Sequence, residues 1–330
     1  MKKLFLLSVL ATLTSSISFA KIWRVNNNVG VLANFTTAQE ANDAVSVLPG
    51  DTIHLEPSTT SYGILNCTKR LTWISTGTFL NIHPNEQFSP NAGMIDYLQV
   101  TQPGGQNSVF HVVVVNTITI GLSGIRLDRT FAGNTISVDN YGYPVTNTVI
   151  VNCYSRGDLY INVGNNNVIT NNIFEGALNI FSGNAQAVIT HNVFNAVSVT
   201  SGVVNNSTLN NNLFNKTNSA YTFTNSSVRY NMSAFANVLP AGNNNQNGID
   251  MNTVFVNDNG NTDADFVLKA GSPAIGAGMG TPAVDIGAYG GNSPFKLALQ
   301  PAIPAIYKID GPAAPSGSTM IITFSTKSNN

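Results

Sequence analysis

Between residues 149 and 232 the apolar positions recur about every twenty residues. Val149-Ile150-Val151-Asn152-Cys153-Tyr154 is followed by Val168-Ile169-Thr170-Asn171-Asn172-Ile173-Phe174, then by Val188-Ile189-Thr190-His191-Asn192-Val193-Phe194 and Thr208-Leu209-Asn210-Asn211-Asn212-Leu213-Phe214. Val228-Arg229-Tyr230-Asn231-Met232 closes the run in degenerate form. Asn152, Asn172, Asn192 and Asn212 mark one column, and Tyr154, Phe174, Phe194 and Phe214 a second. Between these columns, Ile136/Val138, Leu159/Ile161, Leu178/Ile180, Val197/Val199 and Tyr221/Phe223 alternate with polar neighbours. That period of two belongs to strands with one face inward.

A unit of this size cannot bury its apolar side alone, so the repeat predicts a solenoid: an all-β stack of ~20-residue coils sharing one core. Stacking at the strand spacing brings each Asn over the next, so Asn152, Asn172, Asn192 and Asn212 are expected to form an amide ladder at a turn. Asn also tolerates the left-handed backbone of a sharp turn. A leucine-rich repeat has a similar period, but its Leu-x-x-Leu-x-Leu framework is missing.

The flanks follow other patterns. Lys2 and Lys3, the apolar run Leu4–Leu13 and Ser18-Phe19-Ala20 have the order of a cleavable signal peptide, assigned to 1–20. No later segment is apolar enough to span a bilayer. Residues 21–295 read as the solenoid domain, with an N-terminal cap over 21–55 and a closing segment over 250–295. Ile22–Val25 is expected to be the first strand and Thr37–Leu48 a short amphipathic helix with Ala41, Ala44, Val45 and Leu48 on one face. Residues 296–330 read as a Pro-rich linker, with Pro301, Pro304, Pro312 and Pro315, followed by a terminal strand or hairpin around Thr319–Phe324.

Composition narrows the function classes. Charged residues make up 9% of the chain and apolar ones 43%, which favours a packed core over disorder. Leaving out Lys2 and Lys3 takes 15 basic residues against 16 acidic to 13 against 16, a net of −3. This is no nucleic-acid footprint. Cys67 and Cys153 can pair in an exported protein, but two buried free thiols fit the pattern better.

The chain resembles the pectin-lyase-like superfamily of right-handed parallel β-helix proteins. The repeats carry the resemblance, as does the start, where Ile22-Trp23-Arg24-Val25, the helical segment, Pro49-Gly50 and Asp51-Thr52-Ile53-His54-Leu55 are similar to the capped opening of such folds. Phe266–Gly278, with Gly271-Ser272-Pro273-Ala274-Ile275-Gly276, and Asp285–Gly291 resemble the end segment of exported bacterial members. The resemblance implies fold far more than activity, because lyases, hydrolases and adhesins share it.

It also implies where catalysis is to be sought: on the outward side chains of one long sheet. Those positions are Ser137, Tyr160, Asn179, Ser198 and Thr222, then Asp139, Asn162, Phe181, Thr200 and Thr224. A lyase needs Ca²⁺-binding carboxylates and a base, and a hydrolase needs paired carboxylates. One Asp in ten positions supplies neither, so no catalytic set is assigned. The strongest alternative is an edge cluster of Arg126, Asp128, Arg156, Asp158 and Glu175, which also reads as a salt-bridged ladder. His191 reads as a hydrogen-bonding turn residue. Asp258, Asn261, Asp263 and Asp265 surround Gly260 as in part of a Ca²⁺ loop; solvated Asx turns explain them as well, and no cofactor is required.

The expectation is an exported, non-catalytic protein of the cell surface or extracellular space that binds a polysaccharide or envelope glycan, or mediates adhesion. Tyr160, Asn162, Asn179 and Phe181 are its glycan-binding candidates. The alternative is a polysaccharide lyase or glycoside hydrolase acting on an acidic polysaccharide at the Arg126–Glu175 edge.

Overall fold

A computed structural model describes residues 20–328 apart from 84, 182, 184, 197–201, 217–220, 258, 302–303 and 313–317. Residues 1–19 of the expected leader lie outside the described residues, as do Val197, Ser198, Val199, Thr200 and Asp258. The chain is an all-β parallel solenoid of about 8 turns. Strands run along three lines. Along the first, ten described strands pair in parallel from Ile22–Val25 through Arg126–Asp128 and Val149–Val151 to Ser227–Arg229. The second runs from Ile64–Asn66 through Val114–Ile120, Ile136–Val138 and Leu159–Ile161 to Leu178–Asn179. The third, of two-residue strands, runs from Phe131–Ala132 through Tyr154–Ser155, Ile173–Phe174, Val193–Phe194 and Leu213–Phe214 to Met232–Ser233.

Alternation places Ile150, Ile169, Ile189, Leu209 and Val228 inside from the first line, and Ile136, Val138, Leu159 and Ile161 from the second. Phe174, Phe194 and Phe214 stack down the coil, with centroids 5.4 and 5.1 Å apart. Tyr154 departs from this expected column. Val149 pairs with Val168, a step of 19, so Tyr154 pairs with Ile173 and Ser155 with Phe174. Its ring therefore points out of the coil and stacks on Phe131 at 5.8 Å.

The same step corrects the ladder. Asn172 Nδ2 donates to Asn192 Oδ1, Asn192 Nδ2 to Asn212 Oδ1, each at 2.9 Å, and the series continues to Asn231 (2.9 Å) and Asn245 (3.2 Å). Cys153, not Asn152, occupies the ladder level below: its N–H donates to Asn172 Oδ1 at 2.7 Å. Asn152 falls one place earlier, with φ 54°, aligned with Asn171 (55°), His191 (56°), Asn211 (59°) and Tyr230 (53°). The turn thus divides two tasks between adjacent residues, a left-handed bend and then an inward amide.

That left-handed column docks the end of the chain. Asn171 Nδ2 donates to the carbonyls of Ala288 (2.9 Å) and Gly290 (2.8 Å), and Asn211 exchanges hydrogen bonds with both the N–H and the C=O of Met279. His191 lies so close to this segment that a Cβ on Gly291 would stand 2.9 Å from its Nε2. Apolar residues from Met251 to Leu299 pack on the outer side of the third strand line. Phe255, Phe266, Ile286 and Phe295 join Tyr154, Ile173, Val193 and Leu213 there in a second apolar core.

The helix near the N-terminus is shorter than expected. It spans Ala38–Asp43, with Thr37 Oγ1 accepting from Glu40 N. Beyond it, Lys69 Nζ draws in the carbonyls of Ala44 and Val47, and Val47 is buried in place of Val45 and Leu48, which are 92% and 52% exposed. Cys67 and Cys153 are buried free thiols. At the other end, Ala305–Asp310 pairs antiparallel with Thr323–Lys327, so the terminal strand begins four residues later than the apolar run suggested.

Candidate functional site: the outward face of the second strand line

The second line carries the expected outward columns as far as Asn179; Thr222 and Thr224 lie instead on a separate pair of strands, Gly202–Asn205 with Tyr221–Thr224. Thr119, Ser137, Tyr160 and Asn179 are in direct register on successive strands. In the next column Asn162 Nδ2 donates to Asp139 Oδ1 at 2.5 Å. Tyr160 and Phe181 stack, with centroids 6.1 Å apart and planes 19° from parallel. Phe181 is 49% exposed. Tyr97 closes the other end, its hydroxyl 2.9 Å from Thr119 Oγ1.

Asp158 fixes the Tyr160 ring. The Tyr160 hydroxyl donates to Asp158 Oδ2 at 2.6 Å, and Asp158 Oδ1 accepts from Ala177 N at 2.7 Å. That hydrogen bond, aided by burial, pushes the Tyr160 phenol up to about 12. Of the four glycan-binding candidates, the structure brings Tyr160, Asn162 and Phe181 to the surface together. Asn179 does not join them. It is 4% exposed, flanked by Tyr160 in register and by the coil carrying Gly202–Asn205.

The Arg126–Glu175 edge is not one cluster. Arg126 pairs with Val149 on the next coil, and Arg156 lies beyond Tyr154–Ser155 on the third line. On the first line, Asp128 sits 2.9 Å from Arg126 Nη2 and 3.7 Å from His111 Nδ1. Despite its burial these partners hold the Asp128 carboxyl below its ordinary value. Arg156 instead lies over the Phe131 ring at 5.7 Å. Glu175 accepts from the Tyr154 hydroxyl, and burial raises its carboxyl. Asp158 serves Tyr160. The residues are split among three places: Arg126 and Asp128 on the first line, Arg156 and Glu175 around the stacked Phe131 and Tyr154 rings, and Asp158 at Tyr160.

The loop around Gly260 turns Asp263 and Asp265 into the protein. Asp263 is buried, 2.9 Å from His83 Nε2, and accepts from the N–H groups of Ala264 and Ala298. Asp265 accepts from Asn261 N, Thr262 N and Asn257 Nδ2. These oxygens are engaged by N–H donors, the opposite of a set aimed at Ca²⁺. Among the described residues no group of three or more His, Cys, Asp or Glu side chains is arranged to hold a metal, and no helix is long and apolar enough to cross a membrane.

Sequence reasoning missed the hydrogen-bond partners of the aromatic pair. Asp158 was visible as a charge just before the strand Leu159–Ile161, but its bond to the Tyr160 hydroxyl, two residues on, was not read. Comparison with known proteins matches no family model, no curated protein and no solved structure.

Proposed function

We propose that this chain is an exported, non-catalytic protein of the cell surface or extracellular space that binds a neutral glycan on the Tyr160–Phe181 face. The observation that carries the reading is the stacked Tyr160–Phe181 pair, with Phe181 half-exposed, beside Asn162. The C–H faces of a sugar ring pack on such rings, while its hydroxyls meet amide and phenol groups. The carboxylates nearest the rings are engaged by their neighbours, Asp158 by Tyr160 and Asp139 by Asn162. The leader pattern supports export. The same reading takes the coil as right-handed, the rule for parallel crossovers, and takes helix Ala38–Asp43 as a cap on the first coils.

Retention on immobilised neutral and uronate-containing polysaccharides tests this. The native protein should be retarded on at least one neutral glycan and Phe181→Ala several-fold less, a stacking contact being worth about 1 kcal/mol. Release of unsaturated products from a uronate polymer, with or without Ca²⁺, would replace binding with lyase activity.

A further inference from the structure

Where the second apolar core ends, its row of outward side chains runs on into the open. Tyr154, Ile173, Val193 and Leu213 pack against the C-terminal segment, and over the preceding coils the same row continues as Phe131, Val114 and Met94. Two residues along each strand, the neighbouring outward row runs Arg156, Gly133, Asn116 and Asp96. Around Val114 the two rows border a cavity of about 270 Å³, lined by Met94, Asp96, Asn116, Phe131 and Gly133.

The shape of this slot follows from which residues stand in the rows. The strands carrying Met94 and Phe131 are two spacings apart, about 9.6 Å, and only the small Val114 side chain stands between them. One planar group packed against both walls takes about 7–8 Å. Gly133 adds no side chain to the space: a Cβ there would stand 3.0 Å from Asn116 Oδ1 and 3.7 Å from the Phe131 ring. Tyr154 stacks on Phe131 from the following coil, so the side of the ring turned to Val114 borders the cavity.

The polar groups of the slot are unengaged. Asp96 and Asn116 are exposed, and among the described residues neither side chain has a hydrogen-bond or ion-pair partner. Arg156, the cation of this row, is three coils from Asp96, roughly 14 Å at the ordinary strand spacing. It reaches the Phe131 ring, at 5.7 Å, from the coil of Tyr154, and Glu175 stands next to it in register. A carboxylate and an aromatic face both favour positive charge, and the space between the walls is one planar layer deep.

We propose that this slot binds a guanidinium group. The group is planar and charged, so it stacks between the Phe131 ring and Met94 while two of its N–H groups donate to the Asp96 carboxylate and a third to Asn116 Oδ1. An ammonium has the charge without the plane, and a urea group has the plane without the charge. Only the head group enters a cavity this small, so free arginine and an arginine side chain on a protein present the same chemistry to it.

Calorimetric titration of the full chain with Nα-acetylarginine amide, free arginine, Nα-acetyllysine amide and Nα-acetylcitrulline amide tests the assignment. The arginine probes should bind at least tenfold more tightly than the lysine and citrulline probes, and the tighter of the two arginine probes identifies the source. Asp96→Asn changes an exposed, unpartnered side chain and should lose at least tenfold of that affinity with native circular dichroism. Val114→Phe fills the slot with a ring of the protein's own, extending the Phe131–Tyr154 stack, and should abolish binding. Phe181→Ala should bind the arginine probes as the native chain does, and a loss there would overturn the assignment to this slot. No heat with either arginine probe at millimolar concentration would overturn the proposal, as would equal binding of the lysine or citrulline probe, or native affinity in Asp96→Asn. Where Val114→Phe loses its fold, Asp96→Asn and the ranking of the four probes decide.

Discussion

Two columns of side chains leave the same turn one residue apart, and they do different work. Asn172, Asn192, Asn212 and Asn231 point inward, where each side-chain nitrogen donates to the next amide and to a backbone carbonyl of the coil before it. Asn171, His191 and Asn211 take the left-handed bend and present their side chains to the C-terminal segment. The inner column is periodic because its partners are periodic. The outer column holds one non-repeating stretch of chain, and its residues vary with what each meets. A repeat of residue type is thus weaker evidence of a shared role than a repeat of neighbours.

The largest effect should come from the inner column. Asn192→Ala removes the acceptor for Asn172 Nδ2 and N, and the donor to Ile169 O, Thr190 O and Asn212 Oδ1. All but the Thr190 bond are buried, so the loss should cost about 3–4 kcal/mol in urea unfolding. A cost under about 1 kcal/mol would show that the amides are only stacked and contribute no stability.

His191 breaks the symmetry of the outer column through pH. Asn211 Oδ1 is fixed by Met279 N, so Asn211 Nδ2 faces His191 Nε2, which must accept, while His191 Nδ1 donates to Thr190 Oγ1. That is a neutral imidazole, and burial pushes it down to about 4 despite the Asp285 charge. Between that value and the unfolded value near 6.5 the unfolded chain binds a proton that the folded chain refuses. Stability is therefore lost as pH falls through this window, by up to about 3 kcal/mol, and is constant in this respect below it. His83 has the opposite sign. Its bond to Asp263 raises it, so its contribution is whole below about 6.5 and fades above. Comparing urea midpoints at pH 7 and pH 4.5 for the native chain and His191→Asn isolates the first effect, and equal losses in both would refute it.

What was readable in the sequence follows the same division. The inward amides and the Phe174–Phe194–Phe214 stack were legible because local repetition generates them. Reading Asn152 and Tyr154 into those columns failed because one coil is 19 residues long, and a shift of one residue exchanges inside and outside. The Arg126–Glu175 edge failed for a related reason: Arg126 and Arg156 occupy different strand lines of the coil, which a linear count does not separate. The docking of Asn171 and Asn211 on residues 279–290 was invisible, since nothing periodic links partners 68 to 119 residues apart. The Tyr160–Phe181 pair was visible as a column, and the burial of Asn179 within it was not, because that depends on the neighbouring coil.

A moderate effect should follow from Asn171→Ala. It removes the donor to Ala288 O and Gly290 O and leaves the ladder whole. The expected cost is about 1–2 kcal/mol, part of it from placing Ala at positive φ. Its signature is locality: amide exchange should accelerate over residues 274–291 while Ile150, Ile169 and Ile189 keep their protection. Faster exchange throughout the coils would mean that the docked segment and the solenoid form one cooperative unit.

The smallest effect tests the corrected register directly. Asn152 lies in the left-handed column, and its buried Oδ1 has no hydrogen-bond partner among the described residues. The ladder bond at this level comes from the backbone N–H of Cys153, which no change of the Asn152 side chain removes. Replacing Asn152 by Gly deletes an unsatisfied oxygen and relieves the left-handed strain, and it loses some packing and increases the freedom of the unfolded chain. These contributions oppose one another, so Asn152→Gly should change stability by less than about 0.5 kcal/mol. Asn192→Gly, by contrast, should cost nearly as much as Asn192→Ala, because both remove the same buried amide. Were Asn152 the first rung of the ladder, the two Gly variants would be equally damaging. A difference of about 3 kcal/mol between them in parallel urea titrations places the first rung at Asn172, with Cys153 beneath it supplying only its backbone.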